Sequence, residues 1–245
     1  MRIGVTLPTL SADAEAALQA ARVAEEAGLH GVFSFDHLWP LGHPERPSLS
    51  VYPILGAVAS STARIRVGTL VARVGLLPDE VVAASIASLH SILGDRLIAG
   101  LGTGDEASEP EHERNGLPYL GLAARVQSLG AILEHLTRRG IECWIGAGNA
   151  ATNEVAREAG VTLNFWDVAA ERIAREVAAG SAPVTWAGPL PKGVDAAAEV
   201  LVAMREAGAT WVVWGWPSSV GLVTAAAAKA GIELGEPSGG SRARE

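Results

Sequence analysis

An acid, a histidine and a tryptophan follow a short apolar run near the start of the chain. The run reads GVFSF at 31–35, and Asp36, His37 and Trp39 come directly after it, before Pro40. Imidazole titrates near neutral pH, so His37 can act as a general acid or base. The structural alternative is that Asp36 caps a turn and His37 bonds a backbone carbonyl. Neighbouring strand residues point to opposite faces, so Asp36 need not be the partner of His37.

Two glycine-rich segments offer places for a phosphate group or for close backbone approach. GLGTGD at 100–105 lacks the third glycine of a dinucleotide fingerprint, so a tight turn is its simpler interpretation. GAGNAATNE at 146–154 places two glycines and Asn149 before a helix, whose first N–H groups can bind a phosphate. A plain helix cap by Asn149 explains the second segment nearly as well.

The residue types give little support for a metal site or a reactive thiol. His90, His112 and His135 lack the spacing of metal ligands, so no metal site is predicted. The single cysteine, Cys143, opens an apolar run and is expected to be a small buried residue.

The elements that must position these residues alternate along the whole chain. Short apolar runs predict strands at 3–7, 31–35, 65–70, 96–101, 143–147, 161–165, 184–187 and 211–215. Runs rich in Ala, Glu and Arg predict helices at 12–28, 49–61, 78–93, 120–139, 150–159, 167–179, 194–207 and 219–230. Glycines such as Gly28 and Gly160 close these helices.

The predicted strands are apolar on both faces, which is typical of a parallel sheet covered by helices. Eight β/α units in this length predict an α/β fold of the (β/α)8 TIM-barrel type, with an open doubly wound sheet as the alternative. In a barrel, Asp36 and His37 lie at the carboxyl ends of the strands, where barrel enzymes carry their chemistry. We expect one domain over 1–234 and a disordered, Gly/Ser-rich tail over 235–245.

Composition and charge restrict the expected partners. The net charge is −8 and the chain has no basic run, so nucleic acid and anionic membranes are poor partners. No apolar run is long enough to span a membrane, and no signal peptide is visible. A single cysteine rules out an internal disulfide framework, and we expect a cytoplasmic protein.

Taken together, the motifs resemble the bacterial luciferase-like monooxygenase superfamily, and more closely its actinobacterial branch of oxidoreductases that use coenzyme F420, a 5-deazaflavin. The matching segments run in the family's order over residues 1–216: IGVTLP, AEEAGLHGVFSFDHLW, TARIRVGTLV, PDEVVAASIASLHSILGDRLIAGLGTGD, ECWIGAGN, GVTLNFW and REAGATWVV. The resemblance implies a luciferase-like barrel that holds F420, or alternatively FMN, in its mouth. It further implies hydride transfer to or from a small organic substrate, and a homodimer.

The resemblance also implies roles for residues at the strand ends. Asp36 and His37 would lie beside the cofactor ring as catalytic residues, with His37 as proton donor, and Trp39 would wall the substrate space. A non-prolyl cis peptide at Thr69–Leu70 would buttress the ring. Further cofactor contacts would come from the loops after strands 4, 5 and 6: Thr103, Gly104, Asp105, Ala147, Gly148, Asn149, Asn164 and Trp166.

The chain departs from the family pattern between predicted strands 4 and 5, where the usual insertion is shortened. A trimmed lid leaves open a second hypothesis, a barrel that binds a cofactor but catalyses little. A sugar-phosphate lyase or isomerase on the same barrel would need a strand-end lysine or glutamate, which the predicted strands do not offer. The cations nearest the mouth are Arg46 and Arg73.

Overall fold

The computed structural model describes residues 1–40, 42–180 and 182–236. Its strands are β1 (Arg2–Thr6), β2 (Gly31–Ser34), β3 (Arg66–Thr69), β4 (Ala72–Arg73), β5 (Leu97–Gly102), β6 (Cys143–Gly146), β7 (Thr162–Trp166), β8 (Val184–Pro189) and β9 (Trp211–Gly215). Its α-helices are α1 (Ala14–Glu26), α2 (Val51–Ser61), α3 (Asp79–Leu93), α4 (Glu109–Arg114), α5 (Leu122–Thr137), α6 (Ala150–Glu158), α7 (Ala170–Ala179), α8 (Val194–Glu206) and α9 (Val220–Lys229).

The strands close into a barrel. Every strand pair is parallel, β1 pairs with both β2 and β9, and β3 pairs with β5. The ring therefore runs β1–β2–β3–β5–β6–β7–β8–β9, and the two-residue β4 continues β3 alongside β5. This confirms the predicted (β/α)8 barrel with its surrounding helices, and the alternative of an open sheet is wrong.

Aromatic side chains fill the barrel interior. Phe33 stacks on Trp144 with ring centroids 5.3 Å apart, and Trp211 meets both rings edge-on. Inward-facing glycines make room for these rings: a methyl built on Gly4 or Gly31 would lie 2.9 Å from an atom of Phe33 or Trp211. The interior is a packed core, so ligand chemistry is confined to the ends of the strands.

One helix lies where the sequence analysis predicted only a loop. The segment EPEHER forms α4, with a proline in its first turn and His112 and Arg114 in its last. Proline at the start and acids before bases suit a helix, but six residues are too few for a periodic apolar pattern to be visible. This short helix brings Glu111 into the mouth of the barrel.

The described chain ends beside the turn that follows α1. The N–H of Gly235 donates to the Gly28 carbonyl at 2.8 Å, so the chain still contacts the barrel there. The predicted disordered tail otherwise lies mostly outside the described residues, which end at 236. Within them, no helix combines the length and apolarity needed to cross a membrane.

Candidate functional site

Four charged or titratable side chains meet at the carboxyl ends of the strands: Asp36, His37, Arg73 and Glu111, here called the mouth cluster. Glu111 is its centre and is fully buried. One carboxylate oxygen accepts from His37 Nδ1 at 2.7 Å, and the other accepts from the Leu38 N–H at 3.1 Å. The second oxygen also pairs with the guanidinium of Arg73. A buried carboxylate with this many donors is held in one orientation.

Arg73 ties the cluster to Asp36. The N–H of Arg73 donates to Asp36 Oδ2 at 3.0 Å, and its Nε donates to the Asp36 carbonyl at 2.7 Å. Sequence reasoning named Arg73 only as a nearby cation, and the structure places it 4% exposed inside the cluster. Asp36 bonds Arg73 and His37 bonds Glu111, so the two residues are linked through the Arg73–Glu111 pair without bonding each other.

Burial and charge shift the pKa values of the two carboxyls in opposite directions. Burial favours the neutral form of Glu111, but the hydrogen bonds from His37 and Leu38 and the Arg73 charge outweigh it, so its pKa lies below the usual value. Burial raises the pKa of Asp36, and the N–H and charge of Arg73 offset this only in part.

The contact with Glu111 fixes the tautomer of His37. An ionised carboxylate can only accept, so Nδ1 carries the proton and Nε2 is left to exchange one with a ligand. The His37 side chain is 19% exposed, and its ring lies 6.5 Å from that of Phe35. A buried acid that orients a partly exposed imidazole is the arrangement that a general acid or base needs.

The non-prolyl cis peptide joins Leu70 to Val71, one residue later than predicted. The prediction of Thr69–Leu70 was wrong because regular pairing with β2 extends further: the Leu70 N–H still donates to the Ser34 carbonyl at 2.8 Å. Val71 lies over the ends of β5 and β6, where a methyl on Gly102 would lie 2.4 Å from its Cγ2. Leu70 itself packs in the barrel interior.

The predicted residues after β5 are engaged within the protein. Thr103 is buried; its hydroxyl lies 3.2 Å from that of Thr152, and its carbonyl accepts from Arg125 Nη1 at 2.6 Å. Gly104 has a φ of +66°, a conformation that suits glycine. Asp105 Oδ1 accepts from the Ser108 hydroxyl at 3.1 Å.

The predicted phosphate loop after β6 forms a helix cap. Asn149 Oδ1 accepts from the Thr152 N–H at 2.9 Å, and the N–H of Gly148 donates to Asn153 Oδ1 at 3.2 Å. Ala147 bonds the Asn164 carbonyl through its N–H at 2.7 Å. Gly148 and the residues that open α6 are exposed, so part of the helix terminus still faces solvent.

The remaining predicted residues differ in exposure. Thr69 and Asn164 are buried and bond inside the barrel, to the Gly100 carbonyl at 2.6 Å and the Thr185 hydroxyl at 2.9 Å. Trp166 is 47% exposed at the end of β7. Trp39 is 7% exposed and lies under the Arg114 guanidinium, lining a groove of about 500 Å³ between its own loop and α4.

The mouth presents apolar side chains, an open glycine and a buried arginine close to one another. Val71, Phe35 and Trp166 offer apolar surface around the strand ends, and His37 lies beside them. A methyl on Gly148 would meet nothing within 4 Å, so a ligand can approach this backbone closely. Arg125 Nε is buried and has no hydrogen-bond partner within the described part of the chain, and it lies next to the Thr103–Gly104 turn.

Glu111 is the principal site residue that sequence reasoning missed. It lies 74 residues from His37, in a stretch predicted as loop. The available signal was the EPEHER pattern, which could have predicted a short helix but not which of its acids faces the mouth.

Comparison with known proteins identifies the family to which the chain belongs. The family model described as luciferase-like monooxygenase matches residues 1–236. An F420-dependent glucose-6-phosphate dehydrogenase of Beutenbergia cavernae is 38% identical over 98 residues, 40% of this chain and 28% of that protein. A 5,10-methylenetetrahydromethanopterin reductase of Methanolobus tindarius is 35% identical over 88 residues, 36% of this chain and 24% of that protein. The matched part thus spans about a quarter of these curated relatives' lengths.

Solved structures agree on the fold. An F420-dependent secondary alcohol dehydrogenase in complex with an F420–acetone adduct superposes with a TM-score of 0.72, covering 94% of this chain and 98% of that one at 12% identity. Identity at this level supports the fold alone. The match of the family model over nearly the whole chain is the stronger finding, and the chain belongs to the luciferase-like monooxygenase family.

Proposed function

We propose that the protein is an oxidoreductase that transfers a hydride between a small organic substrate and coenzyme F420. The observation that carries the proposal is the buried Glu111, which orients His37 at the barrel mouth and leaves Nε2 available. The relatives named as F420-dependent enzymes support the choice of cofactor. FMN remains the alternative cofactor for this family.

The residues named from the sequence would hold the cofactor. The ring would lie against Val71 and the cis peptide, near Thr69, Leu70 and Asp36. The side chain would follow the turn of Thr103, Gly104 and Asp105, and the phosphate would reach the loop of Ala147, Gly148 and Asn149, with Asn164 and Trp166 at the same end. When bound, the deazaflavin accepts or gives the hydride at C5.

The proton is handled by His37. In substrate oxidation, Nε2 takes the proton that the substrate loses along with its hydride, and in reduction it returns a proton. Glu111 stays ionised throughout and stabilises the imidazolium that forms. Arg73 balances the charge of Glu111 when His37 is neutral. The shortened loops between β5 and α5 would have to exclude water from this step.

The first test is a titration of cofactor-free protein with F420, followed by fluorescence, with FMN in a parallel cell. Tight binding of F420 with FMN ignored supports the proposal and opens a substrate screen. Binding of FMN alone would move the protein to the flavin branch, and binding of neither would overturn the redox hypothesis.

His37→Ala then separates an enzyme from a barrel that only binds cofactor. We expect turnover to fall by about 10²–10⁴-fold while F420 still binds, because the imidazole acts on the proton and not on the affinity. Undiminished turnover would remove His37 from the mechanism. Tight F420 binding by the wild-type protein without turnover on any substrate would favour the binding hypothesis. The homodimer and the cytoplasmic location stay predictions.

A further inference from the structure

Two aromatic rings meet across the mouth of the barrel. Phe35, just after β2, touches Trp166 at the end of β7, with ring centroids 5.8 Å apart at an angle of 68°. Around the ring of eight strands, β2 and β7 are separated by four steps in either direction, so they lie on opposite sides. The contact therefore spans the mouth. Phe35 shares its inward parity with Phe33 of the interior, which places it above the packed core.

Trp166 is only partly packed against the protein. Its indole is 47% exposed, although the aromatic residues of the interior are almost fully buried. Its tip rests on bare backbone, since a methyl on Gly215 would lie 2.9 Å from Trp166 Cη2. The next residue, Asp167, has a φ of +50° and is the one left-handed non-glycine in the described part of the chain. Such strain is costly and concentrates at ligand clamps and switches.

The contact divides the mouth into two halves. One half is bounded by β3, β5 and β6 and contains the cis peptide and Val71; the other is bounded by β8, β9 and β1. A flat tricyclic ring that extends from Val71 across the barrel axis would occupy the space in which Phe35 and Trp166 touch. His37 adjoins the ring of Phe35, so the obstruction stands next to the imidazole.

We propose that Phe35 and Trp166 form an aromatic gate over the cofactor site. Trp166 leaves Phe35 to admit the deazaflavin ring. Phe35 then packs against the ring beside His37, and Trp166 packs against the coenzyme toward its phosphate end. This inference rests on the proposed function, because it concerns entry of the proposed cofactor. It adds Phe35, which neither the sequence nor the family comparison singled out, to the binding residues.

The test is the association rate of F420 with cofactor-free protein, measured by stopped-flow fluorescence. Trp166→Leu removes one side of the gate, and Gly215→Ala disturbs the seat of Trp166 without removing the indole. Both should raise the association rate constant by roughly three- to tenfold, the factor that loss of one aromatic contact allows. In Trp166→Leu, dissociation should accelerate as well, since the bound coenzyme loses a packing partner.

Trp216→Leu is the matched control. Trp216 is 46% exposed at the end of β9 and makes no ring contact with Phe35 among the described residues, so the same substitution there should leave the association rate unchanged. Thermal melts confirm that each variant is folded, and Gly215→Ala serves if Trp166→Leu does not fold.

Three results can be told apart. Faster association in both gate variants, with Trp216→Leu unchanged, supports the gate. Equal association rates in wild type and all variants overturn the gate and leave the proposed function standing. Absence of F420 binding by the wild type and by every variant overturns the proposed function, and the gate falls with it.

Discussion

At the scale of single residues, the two carboxyls of the mouth cluster should respond to pH in opposite directions. The raised pKa of Asp36 means that the folded state holds this proton more tightly than the unfolded chain. Its contribution is favourable below the ordinary aspartate range and is lost as pH rises through the raised pKa. Asp36→Asn keeps an acceptor for the Arg73 N–H but cannot ionise. We expect its melting temperature to exceed that of wild type at high pH and the two to converge as pH falls.

Glu111→Gln is the counterpart of that experiment. The lowered pKa of Glu111 stabilises the fold above the ordinary glutamate pKa, and this contribution is lost as pH falls through the folded value. The glutamine variant should therefore melt below wild type at neutral pH, with the gap closing in acid. The difference in melting temperature from wild type should therefore change with pH in opposite directions for the two variants. A change in the same direction for both would contradict this electrostatic account.

Glu111 should also matter for turnover, through His37 alone. With a neutral amide in place of the carboxylate, the His37 ring loses its fixed tautomer, and we expect kcat to fall on the order of 10²-fold. Because the effect passes through the imidazole, adding Glu111→Gln to His37→Ala should cost nothing further. Steady-state kinetics of the two single variants and the double variant measure this. Additive losses would show that Glu111 acts independently of His37.

At the scale of the elements, replacing each of two glycines by alanine should change the stability of the protein in opposite directions. Gly130 lies within α5 in helical conformation, and a methyl there would meet nothing within 4 Å. Gly130→Ala should stabilise the protein by about 0.5–1 kcal/mol through helix propensity. Gly94 closes α3 with a φ of +57°, so Gly94→Ala should destabilise by ~1 kcal/mol or more. Urea denaturation of both variants measures the change in the free energy of unfolding. Changes of the same sign in the two variants would contradict this prediction.

At the scale of the whole molecule, stability depends on the aromatic interior that all the barrel strands surround. Trp144 is 1% exposed and contacts both Phe33 and Trp211. Trp144→Ala should cost ~3–5 kcal/mol because no neighbour can fill the cavity. Trp216→Ala, at an exposed indole, should cost about 1 kcal/mol or less. Denaturant midpoints measure the loss of stability in each variant. Similar losses in both variants would mean that the interior around Trp144 is not tightly packed.

Most of the fold could be predicted from the sequence because the strands carry their own signal. Runs such as WVVWG are apolar on both faces, and the Ala-rich helices between them end in glycine, so the alternation is visible without any contact information. β4 and α4 were missed because two and six residues are too short for a periodic pattern. The cis peptide was predicted one residue early, since its position depends on how far β3 pairs with β2.

The site was less predictable than the fold. Asp36 and His37 stood out because they end an apolar strand. Glu111, the partner of His37, did not stand out, because its role depends on where the folded barrel places the short helix α4. The same holds for Phe35, which in sequence is one more apolar residue of a strand and in the structure meets a ring from the opposite side.

The filled interior has a consequence for the order of events in catalysis. Phe33, Trp144 and Trp211 close the barrel axis, so under the proposed function coenzyme and substrate would share a single entrance. Whichever of the two molecules lies nearer the packed aromatic core must bind first and dissociate last. Val71, against which the coenzyme ring is proposed to lie, packs directly on this core. Initial-rate kinetics should therefore show a compulsory order with coenzyme leading, and an unreactive substrate analogue should trap the coenzyme and slow its escape. Random-order patterns would require a second route that the packed axis does not offer.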